Sequence, residues 1–240
     1  MLLLLLETLA YAEEAAEAQF TLQAMWDHAG FIAKSVIVTL LLMMLACIFV
    51  TIERLIAFRK ARTQSMDVAA QIVGPLQDRD IGKALKVATD EAYKASYLAG
   101  LLRAGLGQLA ERADEYGVEN ARRAVTKAHH EETAKMKKGM TILATTGSTA
   151  PFVGLFGTTF GVINAFQGMA TSGSGLAGIS AGISEALITT GIGIGVAIVG
   201  VWMFNYFQFR IAKVTDELDS SEADFVEWAT KLIQAEVTGK

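Results

Sequence analysis

Between Gly139 and Phe209 a single residue, Glu185, carries a formal charge. A stretch so long and so nearly uncharged must be buried either in protein or in lipid, and its length decides between them. It divides into two apolar runs, 140–170 and 186–209, joined by the small, uncharged segment Thr171–Ser180. About 20 apolar residues suffice to carry a helix across ~30 Å of hydrocarbon. Both runs qualify, so the spacing predicts a membrane hairpin with a tight return.

A third span precedes it. Ser35 to Ile52 is uncharged throughout and rich in Leu, Ile, Val and Met. The 52% hydrophobic content and a mean hydropathy of +0.37 fit several spans with polar material outside them. The net charge of −4 offers no dominant basic surface for nucleic acid. No Lys or Arg precedes Lys34, whereas Arg54, Arg59, Lys60 and Arg62 follow the first span, and 15 Lys/Arg fall within 58–139. By the positive-inside tendency this places the N-terminus outside and the C-terminus in the cytoplasm. The expected division is an N-terminal periplasmic or interfacial segment (1–30), a first span (31–57), a cytoplasmic helical region (58–139), a second span (140–170), a short periplasmic linker (171–184), a third span (185–209) and a cytoplasmic C-terminal helix (210–240). Residues 1–12 read either as a cleaved leader ending near Ala10-Tyr-Ala12 or as a retained interfacial helix.

The 58–139 region is polar, Ala-rich and helical in pattern. Gly74-Pro75 is expected to break one helix, and Gly82 and Gly105-Leu-Gly107 mark possible others. Nothing between Gly117 and Gly139 interrupts a helix, so one rod is expected from Glu119 to Ala170, roughly 75 Å long. The last span runs on through Val214, Leu218, Phe225, Val226, Ala229 and Ile233 at helical spacing. Projecting apolar stripes of this kind need covering, and self-association is the simplest source. The fold class is therefore an all-α integral membrane protein with three transmembrane helices and long helices extending into the cytoplasm.

Within the spans, the small and polar residues carry the chemistry. Ala150, Gly154, Gly157 and Gly161 recur at spacings of three and four, as do Gly182, Ala186, Thr190, Gly193, Ala197 and Gly200. Small residues let helices approach closely in lipid, so helix packing accounts for most of them. Thr145, Thr146, Ser148, Thr149, Thr158 and Thr159 line the second span, and Ser184, Thr189 and Thr190 the third. A lone threonine can bond its own preceding turn. So many at matched depth read equally as a polar lining or as interhelical hydrogen bonding. Glu185 must face a cavity, pair with a cation or be protonated, unless it stands at a solvated helix N-terminus with Ser184. The three histidines, His28, His129 and His130, lie outside the spans, and His129-His130 is expected to be solvated. No hydroxyl in a span has a base beside it, so an enzyme of covalent chemistry is not indicated and no catalytic residue is assigned. No Cys/His cluster has metal-ligand spacing, no cofactor is called for, and Cys47 reads as a buried structural thiol.

Two segments resemble a known family. Thr149-Ala-Pro-Phe-Val-Gly-Leu-Phe-Gly-Thr-Thr-Phe-Gly161 resembles the second-span motif of the ExbB/TolQ/MotA proton-channel proteins, closest to ExbB and TolQ. Ile183-Ser-Glu-Ala-Leu-Ile-Thr-Thr-Gly-Ile-Gly193 resembles their third-span motif, in which a glutamate precedes a threonine by five positions. The family often has Trp where Phe160 stands and a single Thr before it, so Thr159 is an added hydroxyl. A proline common midway along the third span is replaced near Val199-Gly200.

What the resemblance implies is a bacterial inner-membrane pentamer around a dimer of a single-span ExbD/TolR-type partner, whose transmembrane aspartate carries the proton. Thr158, Thr190 and Glu185 then match pore positions, with Thr149, Thr159 and Thr189 beside them, while Gly154, Gly157, Gly161, Gly193 and Ala197 serve packing. Protons are the implied coupling ion. Nutrient-uptake energising of the ExbB type, envelope maintenance of the TolQ type and gliding motility are the implied processes. A structural scaffold without ion conduction is the rival from another class; a small-molecule transporter would call for inverted repeats and broken helices at midplane, and neither is seen.

Overall fold

The computed structural model describes residues 30–172 and 175–237, and every regular element among them is helical. The order is α1 (Phe31–Gln77), α2 (Ile81–Ala88), a 3-10 turn (Glu91–Tyr93), α3 (Tyr97–Glu111), α4 (Glu115–Lys137), α5 (Met140–Ser172) and α6 (Gly175–Val237). The N-terminal periplasmic or interfacial segment, with its leader or retained helix over 1–12, lies outside the described residues up to residue 29. Among the described residues three helices are long and apolar enough to cross a membrane: α1, α5 over Met140–Ala170 and α6 over Gly178–Ala235. Between 17% and 28% of their most apolar windows is buried within the chain, so most of that surface is left to lipid or to other chains.

Local chemistry sets the helix ends. Pro75 lies in the last turn of α1, which runs on past it with Asp78 N–H donating to the Gly74 carbonyl at 2.9 Å, and the helix stops at Gln77 with Arg79 in the left-handed region (φ 57°). Asp80, Ser96 and Asp114 cap α2, α3 and α4 by accepting from the amides of Lys83, Ala99 and Gly117 at 2.8–3.0 Å. Gly82, Gly105 and Gly107 break nothing: Gly82 sits in the first turn of α2, and the other two lie inside α3. Gly105 is small because the Phe225 ring and Val125 press on it, leaving no room for a Cβ.

The long rod expected from Glu119 to Ala170 is two helices. Lys138 leaves the α-helical region (φ −56°, ψ 132°) and Gly139 turns at φ +80°, a conformation that costs any other L-residue roughly 1–2 kcal/mol. The linker expected over 171–184 is also shorter than the pattern implied, since α6 is already helical from Gly175.

The chain divides into two compact units. In the first (1–48 and 142–202), α5 and α6 pair antiparallel with α1 alongside, around Val36, Leu40, Ala150, Val196 and Ala197. In the second (49–141 and 203–240), α2–α4 pack with the later turns of α1 and α6. Phe58 stacks on Phe207 at 5.7 Å, Ser65 Oγ meets Ser96 Oγ at 2.9 Å, and Trp228 Nε1 donates to the Leu76 carbonyl at 3.0 Å. The last contact adds a second donor to a helix-end carbonyl that the Arg79 amide reaches only at 3.3 Å. Leu218, Phe225, Ala229 and Ile233 of the α6 tail are buried in this unit.

Candidate functional site

The first unit is built on backbone proximity. Along α5, Gly147, Ala150, Gly154, Gly157, Gly161 and Ala165 recur at steps of three and four, and the α6 positions they meet run in the opposite direction, also turn by turn. Gly147 packs on Gly200, Gly154 on Gly193 and Thr190, Gly157 on Thr189, Gly161 on Ala186, and Ala165 on Gly182. The approach is close enough that a Cβ at Gly193 would stand 2.7 Å from the Ala150 carbonyl oxygen, and one at Gly154 3.0 Å from that of Thr189. One at Gly161 would stand 2.9 Å from the Ala186 methyl. Ala197 is buried in the adjoining cluster. Gly157 also meets α1, where a Cβ would stand 3.0 Å from Val36 Cγ1. Gly147 extends the row one step beyond Ala150 and was missed, although the same spacing points to it.

The hydroxyls lie along this seam and beside it. Thr149 Oγ1 donates to the Thr145 carbonyl at 2.7 Å; Thr158 and Thr159 both donate to the Leu155 carbonyl, at 2.7 and 3.0 Å. These bonds to the preceding turn satisfy the hydroxyl hydrogens and leave oxygen lone pairs available. Thr158 is half-buried and Thr159 exposed, next to Gly157 on the seam. Thr189 is buried and donates to the Glu185 carbonyl at 3.2 Å. Thr190 differs from all of them: its Oγ1 is buried and has no hydrogen-bond partner among the described residues. Burying an unpaired hydroxyl costs about 1–3 kcal/mol, so the seam holds one polar atom that the protomer alone leaves unsatisfied.

Glu185 lies eleven residues into α6, half-buried and one turn before Thr189. It is not at a helix start, so the helix-terminus explanation for a carboxylate there does not hold. Glu185, Thr189 and Thr190 thus share two consecutive turns of one helix, with Thr189 and Thr190 against Gly154 and Gly157 of another and Glu185 beside Ala186, which packs on Gly161.

A second polar group, in the second unit, was not anticipated. His129 is buried rather than solvated; its Nδ1 lies 2.9 Å from Glu222 Oε2 and 3.6 Å from Asp219 Oδ1. Thr126 Oγ1 donates to the other oxygen of Glu222. Burial pushes the Glu222 carboxyl up, but the hydrogen bonds from Thr126 and His129, with the charges of His129 and His130, outweigh it and hold the group below the usual carboxylate range. Tyr97 is raised, first by burial and then by its hydrogen bond to Glu217. No group of acidic, histidine or cysteine residues able to hold a metal occurs among the described residues. Cys47 is fully buried and free.

Long apolar helices joined by a small-residue seam, with hydroxyls and one carboxylate along it, define a multi-span membrane protein with polar groups held inside its helix contacts. Comparison with known proteins narrows the class. Residues 94–220 match the model of the MotA/TolQ/ExbB proton channel family. The chain is 34% identical over 161 residues to the Tol-Pal system protein TolQ of Pseudomonas aeruginosa, covering 62% of this chain and 70% of that protein. It is 39% identical over 142 residues to the biopolymer transport protein ExbB of Xanthomonas campestris pv. campestris, covering 58% of this chain and 54% of that one. To ExbB of Salmonella typhimurium it is 47% identical over 77 residues, 32% of either chain. The chain belongs to the MotA/TolQ/ExbB proton channel family, and with its three apolar helices it is a multi-pass protein of the inner membrane.

Proposed function

We propose that this chain is the ring-forming subunit of an ion-driven inner-membrane motor. Five copies enclose a dimer of a single-span ExbD/TolR-type protein, and protons passing along the enclosed surface drive motion of that partner. The observation that carries this reading is the buried, unsatisfied hydroxyl of Thr190, five positions after Glu185. A closed protomer gains nothing from such an atom, whereas a hydrated or acid-bearing neighbour supplies its missing partner. Thr158, Thr159 and Thr149, with spare acceptor capacity, continue the polar surface from α5.

The seam of α5 and α6 contains no Lys or Arg. A carboxylic acid brought against it by a partner helix is favoured while protonated, and loses that preference on ionising. Each electrical charge moved across 100 mV is worth about 2.3 kcal/mol, which bounds the work of a single step. The orientation that follows from the charges places 58–139 and the C-terminal helix in the cytoplasm and the connection between the second and third spans outside. The process energised is import of the ExbB type, with TolQ-like envelope maintenance as the second reading, since relatives of both names match to similar extents.

The test is partner-dependent proton uptake in vesicles loaded with a pH-sensitive dye. Thr190→Val and Glu185→Ala should still co-purify with the partner yet lose most of the flux. Wild-type flux in both variants would remove these residues from the pathway. Absence of flux in the wild type would instead favour a scaffold.

A further inference from the structure

Where α4 gives way to α5, the second unit holds a buried cation that neither span chemistry nor packing calls for. Arg54 follows the uncharged run of α1, and its side chain is only 8% exposed. Its Nη1 donates to the Lys135 carbonyl at 3.1 Å, while Nε and Nη2 engage the neighbouring Glu53 carboxylate. Lys135 belongs to the last turn of α4, whose carbonyls lack amide donors and carry partial negative charge. The Lys138 amide reaches the same oxygen at 3.3 Å before the chain turns through Gly139. One turn earlier on α1, Val50 closes the other side: a Cβ at Gly139 would stand 3.1 Å from Val50 Cγ1. Thus α1 grips the break twice, with a charge on the helix end and an aliphatic wall against the turn. All these residues lie within the second unit.

We propose that Arg54 is a positioning residue: its guanidinium fixes the Lys138–Gly139 break that ends α4 and so holds the turn on which Met140, the first residue of α5, is placed. The helix that ends here is continuous over 23 residues, and Met140 opens the next one directly after the turn. A charge-assisted bond to a helix-end carbonyl is stronger than a neutral one, and the fork geometry of arginine holds the carbonyl and Glu53 at once. A lysine there has the charge but not the fork. The role in ion flux rests on the function proposed above; the grip on the joint does not.

The experiment uses the full chain with its partner in liposomes and compares wild type, Arg54→Met, Arg54→Lys and Gly139→Ala. Amide hydrogen exchange at Lys138, Gly139 and Met140 is read beside partner-dependent proton flux. Arg54→Met should raise exchange at these amides about tenfold, leave α3 unchanged, and lower flux about tenfold with the complex intact. Arg54→Lys should fall between it and the wild type in both measures. Gly139→Ala should reproduce the faster exchange with Arg54 untouched. Unchanged exchange in Arg54→Met overturns the grip, and wild-type flux despite faster exchange overturns the positioning role. If Arg54→Met does not fold, wild-type exchange and flux in Arg54→Lys overturn the proposal in its place. Wild-type protein without flux sinks the motor reading alone, and the exchange comparison still decides whether the joint is held.

Discussion

At Glu222 two contacts and a charge act on one carboxylate: the Thr126 hydroxyl, the His129 ring and the field of His130. Because its folded pKa lies below the ordinary value, the carboxyl contributes stability above the unfolded pKa of about 4.3, and that contribution is lost as pH falls through the folded value. Glu222→Gln should therefore cost about 1.5–3 kcal/mol near pH 7. The deficit should shrink towards zero as pH falls through the lowered folded value and the wild type is itself protonated, read as the difference in melting temperature in detergent along a descending pH series. Nothing in the local sequence announces this group. His129 stands among Lys and Glu and looks solvated, and its partner lies some ninety positions away on α6, so only the fold brings them together. Glu185 is the opposite case, because a lone charge in an apolar run is visible without any structure.

Among the elements, the α5–α6 seam was legible and the α4–α5 joint was not. Steps of three and four between small residues are a property of one chain segment, and two such rows must meet if they pair. Gly193→Ala should accordingly cost about 1–3 kcal/mol, since its Cβ would press on a backbone oxygen that cannot swing aside. A loss of melting temperature in the isolated protein checks this. The joint turns on the φ of Gly139, which follows Lys137 and Lys138 at the edge of the apolar run, and residue types alone do not tell a helical glycine from one at positive φ. Gly139→Ala should lose about 1–2 kcal/mol from left-handed strain, measured in the same way. Arg54 escaped attention for a related reason: it reads as one more cation after a span until its burial is seen.

For the molecule as a whole, three apolar helices, the order of the two span motifs and the family membership were all readable from residue types alone. Copy number, partner and coupling ion are properties of a complex, and the physics of one chain bears on them only through what it leaves unsatisfied. Thr190→Val removes the unpaired hydroxyl while nearly conserving volume, so the isolated protein should be unharmed or gain about 1 kcal/mol. Loss of flux alongside an unchanged or higher melting temperature would separate service to a neighbour from service to the fold.

Gly191 and Gly195 carry that separation further. A methyl added at either would touch nothing within 4 Å, in contrast to the crowded glycines of the seam. Alanine is the better helix former by roughly 0.5–1 kcal/mol, so the solitary chain has every reason to welcome the exchange. Any penalty that follows Gly191→Ala must then be exacted by a foreign surface. The position works as a silent reporter, mute in the protomer and audible only once company arrives.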